Sequence, residues 1–101
     1  MNDANSPKRI DRVLDFSDCR YYSEVHSLIK KELELPEFYG ENLDALWDAI
    51  TGIMYVPANI KIIFKPTSTA AAGLKEEIEK IISVFLEAQK RYNEITVTVE
   101  K

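Results

Sequence analysis

Residues 60–100 read IKIIFKPTSTAAAGLKEEIEKIISVFLEAQKRYNEITVTVE, and the order of patterns within them decides the fold. Ile60 to Phe64 is a short apolar, β-branched run with Lys61 and Lys65 at its edges, which predicts a strand. From Leu74 to about Tyr92 the period changes. Leu74, Ile78, Ile81, Ile82, Phe85 and Ala88 form one apolar stripe while Lys75, Glu76, Glu79 and Lys80 face away, the pattern of an amphipathic helix. Glu94 to Glu100 then alternates: Ile95, Val97 and Val99 point one way, Thr96 and Thr98 the other. This strand has one polar face and belongs at a sheet edge or against solvent. Strand, helix and strand in that order form a crossover unit, which favours parallel pairing.

Working outward, Pro66 to Gly73 is small and polar and reads as a loop with room for one turn of helix. Upstream, Ile10 to Phe16 alternates loosely and is expected to be a first strand, preceded by a polar, frayed segment over 1–9. Ser23 is placed to cap a helix carrying Val25, Leu28, Ile29 and Leu33, which Pro36 ends. After the connector Glu37–Glu41, Asn42 caps a second helix with Leu43, Leu46, Trp47 and Ile50. Gly52 sits where a left-handed terminator is expected. Three strands separated by helical segments predict an α/β domain over 10–101, with helices packed on a parallel sheet in two layers. Repeats, linkers and low-complexity tracts are absent from the sequence.

Composition narrows the function. A chain of 101 residues with 46% hydrophobic residues supports one core and one domain. The formal charge of −4 disfavours nucleic acid or an anionic membrane as the direct partner and favours a basic protein or a cation. Cys19 is the only cysteine, which excludes an internal disulfide framework. Met1–Pro7 contains no apolar stretch of signal-peptide type and no run suits a membrane span, so the cytoplasm is the expected compartment. Reactive chemistry is thin. His26 is the one histidine and reads as a helix-surface or partly packed residue. Cys19 reads as a small buried hydrophobe. The glycines at 40, 52 and 73 make no phosphate loop. No enzyme, catalytic residue, cofactor or metal is expected.

Glu32 to Asp48 holds six acids and no Lys or Arg. The whole chain has an excess of only four, so this window more than accounts for it. In the second helix, Asp44, Asp48 and Thr51 fall at i, i+4 and i+7 on one face, flanked by Trp47. Leu43, Leu46 and Ile50 occupy the other. Two carboxylates at i, i+4 repel, costing the isolated helix about 0.2–0.5 kcal/mol. Asp44 recovers some of this near the positive end of the helix dipole, whereas Asp48 does not. The pattern leaves two readings open, a solvated acidic face or a surface built for a partner. The aromatic neighbours Phe38, Tyr39 and Trp47 favour the second, although a small core also uses such residues. A cation site at Glu41, Asp44 and Asp48 is a third reading, but two aspartates with one glutamate are too few ligands without further donors.

The run from Lys30 to Gly52, and within it YGENLDALWD over 39–48, closely resembles the signature of the barstar family of intracellular ribonuclease inhibitors. Weaker similarity extends from the first strand onward, including Val84, Phe85, Glu87 and Ala88 in the long helix. The resemblance implies a three-stranded parallel sheet with helices packed on it. It also implies a 1:1 heterodimer with a secreted or toxin-borne basic ribonuclease held inactive in its producer. By motif position, Asp48 would enter the enzyme's phosphate-binding pocket and Asp44 would meet basic and backbone groups nearby. Phe38 takes the place of a family tyrosine. Gly40, Asn42, Leu43, Ala45, Trp47, Thr51 and Gly52 fall at or beside the interface, and Glu87 corresponds to a peripheral salt-bridge residue. The sequence departs from the family at two positions: Phe38 lacks the phenolic hydroxyl and Ile53 replaces a tryptophan. These departures keep a second function in view, a barstar-fold interaction or regulatory module with a partner that is no ribonuclease.

Overall fold

A computed structural model describes residues 10–37, 39–53, 57–65 and 72–100. The expected frayed segment 1–9, Phe38 and positions 66–71 of the expected loop lie outside the described residues. Along the chain run β1 (Ile10–Asp15), α1 (Tyr22–Glu32), α2 (Leu43–Asp48), a π-helical turn (Ala49–Ile53), β2 (Ala58–Ile63), α3 (Leu74–Arg91) and β3 (Ile95–Glu100).

The strands lie in the order β1-β2-β3, all parallel. Register places Leu14, Ile62 and Val99 in one row, and Arg12, Ile60 and Val97 in another. Because side chains alternate across a strand, these rows share one face. That face joins Val25 and Ile29 of α1, and Ile78, Ile81 and Phe85 of α3, in a single buried cluster. The opposite face carries Val13, Lys61 and Thr98, all exposed, in the row between. Helices therefore cover one side of the sheet only, in two layers. β3 is an edge strand, as its polar alternation predicts. Its outward-facing Val97 N–H donates to the Gln89 side-chain carbonyl of α3 at 2.7 Å.

Two helix ends differ from expectation. α1 starts at Tyr22 rather than after Ser23, and the carboxylate of Glu24 accepts from the backbone N–H groups of Arg20 and Tyr21 at 2.6 and 3.2 Å. An acid three residues inside the helix thus caps it from within. At the other end, Glu34 adopts φ 54, with Glu34 N–H bonded to Lys31 C=O and Leu35 N–H to Lys30 C=O. This pair of reversed bonds is the Schellman termination, which usually takes glycine at its left-handed residue. Gly73, at φ 84, supplies that conformation at the start of α3, where a Cβ would sit 2.8 Å from the Tyr22 hydroxyl.

Candidate functional site

The acidic helix is fixed to the body of the protein from both ends. At its N-terminus the Asn42 side-chain oxygen accepts from Ala45 N–H at 2.7 Å, as expected of a cap, while its amide donates to Gly40 C=O at 3.3 Å. Space at Gly40 is tight: a Cβ there would stand 3.2 Å from the Ala45 Cβ. Glu41, between them, sits at φ 54, a left-handed conformation that disfavours an L side chain. Along the helix, Leu46 and Ile50 are buried, with Leu43, Ala45 and Trp47 packed partly against the same core. Burying a Leu or Ile contributes about 1.5–3 kcal/mol, so these two hold the helix and the turn that follows it to α3.

Beyond Asp48 the expected terminator is absent. Gly52 lies inside the π-helical turn Ala49–Ile53 without a positive φ. The wider turn keeps the chain helical past the point where a left-handed glycine would have reversed it. Thr51 lies there too, and its hydroxyl donates to Trp47 C=O at 2.7 Å. The Ile53 side chain is outside the described residues.

Asp44 and Asp48 are both exposed, and neither carboxylate has a hydrogen-bond or ion-pair partner among the described residues. Two of the upstream acids are different. Glu34 pairs with Arg12 at 3.1 Å, and Glu37 with Lys30 at 2.8 Å. The Lys30 hydrogen bond holds the Glu37 carboxyl below its ordinary range. Folding therefore compensates two of the six acids and leaves Glu32, Glu41, Asp44 and Asp48 without an ion pair among the described residues, the last two together on α2.

The connector that delivers α2 is pinned from beneath. His26 is 5% exposed and Tyr39 6% exposed; His26 Nδ1 and the Tyr39 hydroxyl share a hydrogen bond of 3.0 Å. His26 Nε2 lies 3.8 Å from Glu77 of α3. The histidine is thus a buried tie between α1, the connector and α3, more deeply packed than its helical position alone indicates. Burial pushes the Tyr39 hydroxyl up to about 12, with Glu41 adding to the effect. Cys19 is half-buried, and burial followed by the charges of Glu24, Asp18 and Asp15 pushes its thiol up to about 11, unfavourable for a nucleophile.

Glu87 comes to the same side of the molecule through a chain of contacts. It pairs with Arg91 at 3.5 Å, and the Arg91 guanidinium lies 5.9 Å from the Trp47 ring centroid. Sequence reading missed Arg91, although the i,i+4 spacing from Glu87 was visible; only folding reveals its place over Trp47. Of the expected interface residues, Asp44, Asp48 and Trp47 thus stand together on α2, and Glu87 is linked to Trp47 through Arg91. Gly40, Asn42 and Ala45 build the turn that aims α2, and Phe38 lies outside the described residues. Among the described residues no group of three or more His, Cys, Asp or Glu is arranged to hold a metal, and no helix is long and apolar enough to cross a membrane.

Comparison with known proteins identifies the family. The chain is 29% identical over 89 residues to a Bacillus subtilis (strain 168) protein described as "Putative ribonuclease inhibitor YrdF", covering 87% of this chain and 96% of that protein. The family model described as Barstar (barnase inhibitor) matches residues 11–100. With nearly its whole length matched, and its parallel sheet and capped acidic helix in place, the chain belongs to the barstar family.

Proposed function

We propose that this protein is an inhibitor of a microbial ribonuclease, rather than an enzyme, and acts in the cytoplasm of its producer as an immunity protein. Its partner is a secreted or toxin-borne basic ribonuclease, bound one to one. The observation that carries this reading is the pair Asp44 and Asp48: exposed, unpartnered, and held on a helix whose other face is anchored by Leu46 and Ile50. Membership of the barstar family and the printed description of the Bacillus relative support it.

The mechanism is electrostatic. Two carboxylates on a fixed helix attract a basic cleft over a Debye length of about 8 Å at physiological salt. Inside a cleft that binds phosphate, a carboxylate accepts the Arg hydrogen bonds intended for phosphate oxygens. A side chain offers no scissile bond there, so the enzyme is occupied without turnover. Trp47 adds a half-buried ring beside the charges, the residue type that anchors protein interfaces.

Titration of barnase activity on RNA tests the proposal. Stoichiometric loss of activity at one inhibitor per enzyme is expected, and Asp48→Ala, Asp44→Ala and Trp47→Ala should each weaken it. Unchanged inhibition by all three variants would overturn the site assignment.

A further inference from the structure

The acidic window from Glu32 to Asp48 contains no Lys or Arg, yet the fold brings a cation to its border. Arg91 comes from the last turn of α3 and stands over the Trp47 ring at 5.9 Å while pairing with Glu87 at 3.5 Å. A guanidinium over an indole face is favourable, and an i,i+4 ion pair adds to it, so Arg91 is held from two sides. Both side chains of the pair remain exposed, 63% for Arg91 and 48% for Glu87, so both can meet a partner.

We infer that Arg91 is a specificity-determining residue: it masks Glu87 and sets a positive rim beside Asp44 and Asp48, so that the border of this surface fits a partner bearing an acidic or uncharged group there. The inference rests on the proposed inhibitor function and refines its partner. A ribonuclease basic across its whole contact surface meets favourable charge at α2 and an unfavourable cation at α3. An enzyme with a carboxylate facing α3 meets favourable charge at both. Like charges at a rim discriminate between partners mainly through encounter rate and salt dependence.

The test measures binding of barnase, used as the basic probe, to the full chain and its variants. In low salt, Arg91→Ala should bind about two- to fivefold more tightly than the natural chain, and Arg91→Glu about five- to twentyfold. Both gains should shrink at high salt, because the groups are exposed. In the Arg91→Ala background, Glu87→Gln should take back part of the gain, showing that removing the arginine had released the carboxylate. Lys75→Glu supplies the net-charge control. It sits at the opposite end of α3, about 24 Å away at 1.5 Å per residue, and should change binding less than twofold. Unchanged or weaker binding by Arg91→Glu, or an equal gain from Lys75→Glu, overturns the inference while inhibition by the natural chain leaves the proposed function standing. If neither the natural chain nor Arg91→Glu binds barnase, the proposed function falls and the inference with it.

Discussion

The two halves of the acidic window are treated differently by the fold. Over 32–41 the chain turns out of α1, and the carboxylates of Glu34 and Glu37 are occupied by Arg12 and Lys30. Over 42–48 it becomes a capped helix whose two aspartates have no partner among the described residues. Each half keeps two carboxylates without an ion-pair partner among the described residues, Glu32 and Glu41 in the first and Asp44 and Asp48 in the second, but only the second pair shares one helix at i, i+4 spacing. Charge composition marks a region, whereas internal pairing and helical spacing together decide which part of it can serve an outside partner.

Several substitutions break or sharpen this contrast. Asp48→Asn keeps the shape of the side chain and removes its charge; loss of a desolvated ion pair should weaken barnase inhibition by about 3–5 kcal/mol, measured by competitive inhibition. Asp44→Asn should cost less, about 2 kcal/mol, because a single charge-assisted hydrogen bond is at stake. Tyr39→Phe leaves His26 Nδ1 buried without its partner and should lower unfolding stability by about 1–3 kcal/mol in urea titration. Asn42→Ala removes the cap of α2 and should cost about 1 kcal/mol by the same measurement. The smallest effect belongs to the two paired glutamates. Glu34→Gln and Glu37→Gln should each leave the urea midpoint almost unchanged, since surface ion pairs contribute little.

Acidity offers one more check. Cys19 and Tyr39 hold their protons in the fold to about 11 and about 12, above ordinary values of 9.0 and 10.0. The unfolded chain releases these protons first as the solution becomes alkaline. Folding stability should therefore fall as pH rises from about 9 towards 11, seen as a declining thermal midpoint.

The elements were legible where hydrophobic period was strong. α3 shows a stripe of six buried residues and β3 a strict alternation, and both stand within two residues of their expected bounds. Asn42 was legible as a cap because its side chain acts locally. Chain ends set by unlikely residues were not. Glu34 occupies a left-handed position that pattern reading reserves for glycine, and Gly52, which fits that pattern, does not adopt it. The site was half legible. Spacing places Asp44 and Asp48 on one face, but whether a carboxylate is free depends on distant cations such as Arg12, 22 residues from Glu34 in sequence. Arg91 was hidden for the same reason, being joined to Trp47 by tertiary packing alone.

The hydrogen bond from Val97 to Gln89 bears on how copies of this protein treat one another. A three-stranded sheet exposes two borders, and a bare amide on such a border is an invitation to self-templated strand growth. By occupying the Val97 amide, Gln89 removes one of the outward donors that a further strand would need on the β3 side.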